Sequence, residues 1–188
     1  MRSNEGIKKL ARLGMLTALS VVFIVLVRIP FPPAPFLVYD PGDVPILIAA
    51  FLYGPWHGVA MTALVSAIQA FALGGDGIIG GVMHLFATGV FCLVAGYIYR
   101  SNKSMKSAVI ALIVGSISMT AVMVGCNLVL TPIFLGQLIE DVVPMLLPII
   151  IPFNLLKSGV NAVITFIVYK PVHKLFNKVG RKKDSQNA

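Results

Sequence analysis

Apolar residues fill nearly every position from Leu13 to Val27, and from Val44 onward the same density returns in segments interrupted only by Gly, Pro or clusters of charge. Hydrophobicity all round, instead of on one face, marks helices buried on every side by protein or lipid. The first such helix is expected from about Ile7 to Arg28. It ends before Pro30, Pro32, Pro33 and Pro35, which lack backbone donors and push their predecessors toward extended conformations. Ile29 to Gly42 then reads as an ordered loop with Phe31, Phe36 and Tyr39 but little helical character. Asp43 suits an N-cap, with Pro45 in the first turn of a short second helix that stops near Gly54-Pro55. A third helix is expected from Trp56 to Leu73, closed by the turn Gly74-Gly75-Asp76-Gly77. A fourth runs from Ile78 to Tyr99 and leads through the polar stretch Arg100 to Lys106 into a fifth, which reaches Leu130 before Thr131-Pro132 and Gly136 break the chain. The sixth occupies Val143 to Val172, kinked by Pro148 and Pro152, and the basic tail from Lys174 to Lys183 reads as frayed.

Composition turns this pattern into a class. Only 12% of the 188 residues are charged and 57% are hydrophobic, against roughly 25% charged in soluble domains. The expectation is an all-α integral membrane protein. Helices of roughly 20 residues allow about six spans and leave no room for a separate soluble domain. A single domain over 1–188 follows, with a membrane region of about 7–172 and a basic tail over 173–188. Lys8, Lys9 and Arg12 before an apolar run resemble a secretory leader, but no small-residue cleavage site follows, so the segment reads as a retained first helix.

The net charge of +8 is distributed as a topology signal and not as a nucleic-acid patch. Four Lys and Arg precede the first helix core, three lie in the loop after the fourth, and six follow from Lys170 onward. Asp40, Asp43, Asp76, Glu140 and Asp141 fall on the other side. Six spans with both termini cytoplasmic satisfy this arrangement. Arg28 and Lys157 are the basic residues left over. Cys92 and Cys126 sit inside apolar runs and read as small core residues.

Lys157 is the only charge between Val142 and Tyr169. An ammonium near the middle of a membrane helix costs roughly 3 kcal/mol on insertion scales, so a partner or a ligand must offset it. Asn154, three residues earlier, shares its helix face. A buried ion pair with Asp40 or Asp43, snorkelling to an interface, and contact with a ligand all account for the lysine. Asn127 and His84, in helices five and four, likewise serve either another helix or a polar ligand. Gly14 and Ala18 form a small-xxx-small pair that admits close approach of another helix. Tyr53, Trp56, Tyr97 and Tyr99 read as interfacial anchors. No phosphate-binding loop, H-E-x-x-H motif, paired intramembrane carboxylates or Ser/His/Asp set is present, which argues against an enzyme and against a metal site. Uphill transport would therefore need a partner ATPase or an ion gradient.

Three stretches resemble a known family. Tyr39-Asp40-Pro41-Gly42-Asp43-Val44-Pro45, Tyr53-Gly54-Pro55, and Pro152-Phe153-Asn154-Leu155-Leu156-Lys157 with Asn161 are similar to the riboflavin-specific substrate-binding (S) components of energy-coupling factor (ECF) transporters. The resemblance covers about Ile7 to Val172. It implies a six-helix subunit of the bacterial cell membrane that captures a vitamin near the outer face, under the loop joining helices one and two. It also implies a transmembrane coupling subunit and two cytoplasmic ATPases as partners. Asn154, Lys157 and Asn127 would hydrogen-bond the isoalloxazine ring, Val38, Tyr39 and Asp40 would cover it, and Gly14 and Ala18 would meet the coupling subunit. Two amides and an ammonium suit the pyrimidine edge of a flavin, which offers carbonyl and ring-nitrogen acceptors plus an imide donor. His84 stands where the family more usually has asparagine, and Leu128 where an aromatic often occurs. His84 therefore joins the substrate-binding set, and flavin mononucleotide or another vitamin such as pantothenate stands as the alternative ligand. Outside the family the alternative is an ion-coupled carrier, disfavoured by the lack of intramembrane acids and inverted repeats.

Overall fold

The computed structural model describes residues 2–73 and 77–184. It is mostly helical, with elements α1 (Arg2–Leu26), β1 (Ile29–Phe31), β2 (Ala34–Tyr39), α2 (Asp43–Tyr53), α3 (Pro55–Ile68), α4 (Gly77–Ser101), α5 (Met105–Leu135), α6 (Ile139–Val142) and α7 (Ile151–Asp184). Among the described residues, four stretches are long and apolar enough to cross a membrane: Glu5–Leu26, Gly77–Ser101, Met105–Leu135 and Ile139–Lys174. The expected turn at Gly74-Gly75-Asp76 lies outside the described residues, as do the last four residues of the tail.

Short α2 is the centre of the bundle. Every residue from Asp43 to Phe51 is buried, and the helix packs against α1, α3, α4 and α7. Its continuous hydrophobicity is what a helix enclosed on all sides requires. Ile46, Leu47 and Ala49 meet Val65 of α3, Phe91, Cys92 and Ala95 of α4, and Ala111 of α5 in one apolar core. Gly54, at φ +105°, turns the chain between α2 and α3 in a conformation that other residues rarely adopt. Gly96 of α4 lets Pro55 approach so closely that a Cβ there would lie 2.8 Å from the proline's own Cβ.

Several expectations are corrected. The proline-rich segment is a β-hairpin, β1 against β2 antiparallel, with Pro30 opposite Val38. Both strands are edges, where a residue without a backbone donor is tolerated. Gly42, not Asp43, occupies the N-cap position of α2, and no side chain caps it. Helix α5 continues through Pro132 to Leu135 and ends at Gly136, in the left-handed conformation at φ +64°. Proline inside membrane helices is tolerated where neighbouring groups re-satisfy the backbone. The sixth expected helix does not begin at Val143. Pro144, Pro148 and Pro152 leave a 3-10 turn over Val143–Met145 and a π-helical turn over Leu146–Ile150, and regular helix starts only at Ile151.

That last helix does not fray after Lys174 but runs on to Asp184. Arg12 of α1 stabilises the extension by donating Nη2–H to the Phe176 carbonyl at 2.8 Å, with its guanidinium over the Phe176 ring. The same end of the bundle carries Lys9 over the Tyr53 ring. There, too, exposed Trp56 donates its indole N–H to the Tyr97 hydroxyl at 3.0 Å. Tyr99, expected as an anchor, is instead buried, stacked on Phe51 at 4.4 Å between ring centres and donating to the Tyr169 hydroxyl at 3.0 Å. Cys92 and Cys126 are free thiols, as their apolar surroundings suggest.

Candidate functional site

The opposite end of the bundle holds a cavity of about 110 Å³. The C-terminal ends of α1 and α5, the start of α4, the turn after α3, the start of α7 and the hairpin all contribute to its wall. The hairpin is held there by a second small core, in which Ala34 and Leu37 pack with Val142, Ile150 and Phe153. Phe31 adds a tilted ring contact with Phe153 at 5.4 Å between centres. Burial of these apolar groups is what places Val38 and Asp40 above α7.

The lysine finds its partner in this hairpin segment. Lys157 Nζ donates to Asp40 Oδ2 at 2.8 Å and to the Val38 carbonyl at 3.3 Å. Side-chain exposures of 13% and 7% make this a buried pair, so each charge depends on the other for the solvation it has lost. Asp40 is fixed in turn by the Gly42 N–H, which donates to Oδ1 at 3.0 Å. Ser20 of α1 ties the same turn down by donating to the Gly42 carbonyl at 2.6 Å.

Asp43 organises a second network below the first. Its carboxylate accepts from Thr88 Oγ1 at 2.7 Å and from Asn161 Nδ2 at 3.1 Å, and His84 Nε2 lies 3.1 Å away. Because a carboxylate only accepts, Nε2 carries the proton of that contact, and in the neutral ring Nδ1 accepts from Ser66 Oγ at 2.7 Å. Asn161 also donates to the Asp40 carbonyl at 3.2 Å and accepts from the Tyr39 hydroxyl at the same distance. Burial, then the Asp40 carboxylate, raise the Tyr39 hydroxyl above its ordinary value, which keeps it a donor. α2, α3, α4, α7 and the hairpin are thereby joined through side chains alone.

Asn127 and Asn154 face the cavity with their N–H groups turned back onto their own helices. Asn127 donates to the Met123 carbonyl and Asn154 to the Ile150 carbonyl, each at 2.8 Å, and Thr131 donates to Asn127 Oδ1 at 2.8 Å. Such local bonds satisfy buried amides at little net gain, so a ligand acceptor can replace them by a side-chain rotation. Ile24, Leu37, Met83, Met119, Met123 and Phe153 supply the apolar part of the wall. Among the described residues no three His, Cys, Asp or Glu side chains come together to hold a metal ion.

The chain matches the family described as ECF transporter, substrate-specific component, over residues 8–169. It belongs to that family. Relatives include the riboflavin transporter RibU of Staphylococcus aureus (strain TCH60), 30% identical over 92% of this chain and 94% of that protein. The riboflavin transporter FmnP of Bacillus subtilis (strain 168) is 29% identical over 87% and 90%. A solved S component of a bacterial ECF transporter superposes with a TM-score of 0.79 at 29% identity, covering 90% of this chain and 98% of that one. The biotin S component of another ECF-type transporter shares the fold, with a TM-score of 0.63 at 19% identity over 90% and 95%.

Of the expected substrate residues of this S component, Val38, Asp40, His84, Asn127, Asn154 and Lys157 line one cavity. Tyr39 does not; its hydroxyl points to Asn161. Gly14 and Ala18 lie far from the cavity on the exposed face of α1, and a Cβ at Gly14 would meet nothing within 4 Å. Sequence reasoning did not assign Asp43, Thr88 or Gln69 to the site. A signal exists for Asn161, which continues the face of Asn154 and Lys157, whereas Gln69 stands out only as the single side-chain amide between Trp56 and Leu73.

Proposed function

We propose that this S component binds riboflavin in the cavity beneath the hairpin and delivers it for uptake across the bacterial cell membrane. The observation that carries the reading is the convergence of Asn127, Asn154 and Lys157 from two helices onto the wall of a cavity whose apolar lining is built from Met, Phe, Leu and Ile side chains. That wall offers an ammonium and two amides to the pyrimidine edge, while the apolar wall takes the ring faces. The names of the two relatives, with which similarity extends over nearly the whole chain, support the same ligand. Lys157 is engaged by Asp40 and Val38, so ligand and hairpin share one ammonium. Flavin entry therefore involves the hairpin shifting or the lysine dividing its donors between them.

Six membrane segments with both termini cytoplasmic make up a single domain. The basic ends of α1, α4 and α7 lie inside, and Asp40, Glu140 and Asp141 lie with the cavity on the outer side, in accord with the positive-inside bias. A transmembrane coupling subunit and two cytoplasmic ATPases supply the energy. Purified protein in detergent, titrated with riboflavin in equilibrium dialysis, is expected to bind saturably with one flavin per chain and to leave biotin unbound. Folded protein without saturable riboflavin binding would refute the assignment.

The coupling subunit docks on α1. Leucine at Gly14 or Ala18 enters open space, so Gly14→Leu and Ala18→Leu should keep the melting temperature and riboflavin affinity of the parent while abolishing uptake and co-purification with the coupling subunit. Loss of riboflavin affinity in either variant, or unchanged uptake, would remove α1 from the docking surface.

A further inference from the structure

Gln69 carries a polar atom that the site described so far does not use. The residue is only 8% exposed, it lines the cavity, and its side-chain oxygen has no hydrogen-bond partner. Among the described residues, the other buried side-chain atoms in that condition are the hydroxyls of Ser116 and Thr165, neither of which lines the cavity. Asn127, Asn154, Lys157, His84, Thr88 and Thr131 each make at least one side-chain hydrogen bond. Gln69, a residue of the cavity wall, thus holds a buried acceptor without a donor, and buried acceptors are rarely left so unless a ligand or water supplies the missing group.

The local backbone holds Gln69 at the cavity wall. Regular helix α3 ends at Ile68, and Gln69–Leu73 widens into a π-helical turn. The Gln69 N–H is shared between the carbonyls of Ser66 and Val65. Turns of this kind occur mostly as single interruptions of α-helices, frequently at functional sites. Gly81 of α4 holds the turn in place, since a Cβ there would lie 2.8 Å from Ala70 Cβ and 2.9 Å from the Ser66 carbonyl oxygen. Gly80 and Ile79 line the cavity from the start of α4 and bring no side-chain donor to it.

Gln69 sits on the α3 side of the cavity, whereas Asn127, Asn154 and Lys157 belong to α5 and α7. A ligand whose ring edge meets the amides and the lysine directs its remaining substituent elsewhere along the wall. An unpaired acceptor selects for O–H or N–H in that substituent. We infer that Gln69 Oε1 accepts a hydrogen bond from a hydroxyl of the ligand's polyol side chain, making Gln69 the residue that separates flavins carrying such hydroxyls from flavins without them. This rests on the flavin reading above.

The test compares riboflavin with lumiflavin, the same ring bearing a methyl group in place of the polyol, each measured on full-length protein by competition binding in detergent. Wild type is expected to favour riboflavin. Gln69→Leu should weaken riboflavin roughly tenfold while leaving lumiflavin within about twofold, and Gln69→Glu, which keeps the acceptor, should recover part of the preference. Should the leucine variant fail to fold, Gln69→Met, closer in length and shape, repeats the measurement. Equal losses for both flavins, or an unchanged preference for riboflavin, overturns the role of Gln69 alone. Wild-type protein that binds neither flavin overturns the ligand assignment and this inference together.

Discussion

Lys157→Ala is expected to weaken riboflavin binding by about 10- to 100-fold, the range for losing a hydrogen bond to a charged group. It should also destabilise the unliganded protein by about 3–5 kcal/mol, because Asp40 is left as an unpaired buried carboxylate. The two effects come apart in the double variant. Asp40→Leu with Lys157→Met removes both charges, and replacing a buried pair by apolar side chains is often neutral or stabilising. Thermal unfolding in detergent should therefore show a melting temperature for the double variant near or above that of the parent, while riboflavin affinity stays low. Recovery of affinity along with stability would mean that the ammonium holds the hairpin and nothing else. An unaltered melting temperature in Lys157→Ala would mean that the pair adds no stability in the first place.

The second large effect is expected at Asp43. Alanine there strands the Thr88 hydroxyl, the His84 ring N–H and one Asn161 N–H in a site closed to solvent. Each buried donor left unsatisfied costs about 1–3 kcal/mol, so Asp43→Ala should lose at least about 3 kcal/mol of stability. It should also loosen α7, carrying Asn154 and Lys157 out of register with α5. Asp43→Asn keeps one accepting oxygen but turns an NH₂ toward the remaining donors, so an intermediate melting temperature is expected. A variant Asp43→Ala that melts with wild type would show that these contacts are incidental to the packing of α2.

The apolar runs gave up the long helices readily, because continuous hydrophobicity and charge clusters depend on the surroundings of each segment and not on long-range contacts. Lys157 was legible as an expensive charge, but its choice of Asp40 over Asp43 depends on the hairpin, which holds Val38 and Asp40 over α7. That hairpin was hidden by its prolines: they argue against helix and central strand, and a two-stranded ribbon has neither. Asp43 illustrates a different limit. Its position before an apolar run fits a cap, yet the carboxylate faces α4 and α7, and no local pattern distinguishes the two uses. Pro132 reads as a break when its missing donor is weighed without the rest of the bundle, yet α5 passes it and stops at Gly136, where the backbone turns left-handed. Gln69 carries no signal in the sequence, since a single amide near a helix end ordinarily finds a partner, and only the packed structure reveals that its oxygen has none.

The hydrogen bond between Trp56 and Tyr97 has a spectroscopic consequence. Trp56 is the only tryptophan in the chain, it is exposed, and it stands at the end of the bundle remote from the cavity. Indole emission wavelength follows local polarity, so in this protein the colour of the intrinsic fluorescence belongs to one end alone. Ligand capture at the far end leaves that environment as it was, whereas a protein surface or headgroup layer closing over Trp56 changes it. The molecule thus carries a native single-site probe for contact at its basic end, with no engineered label required.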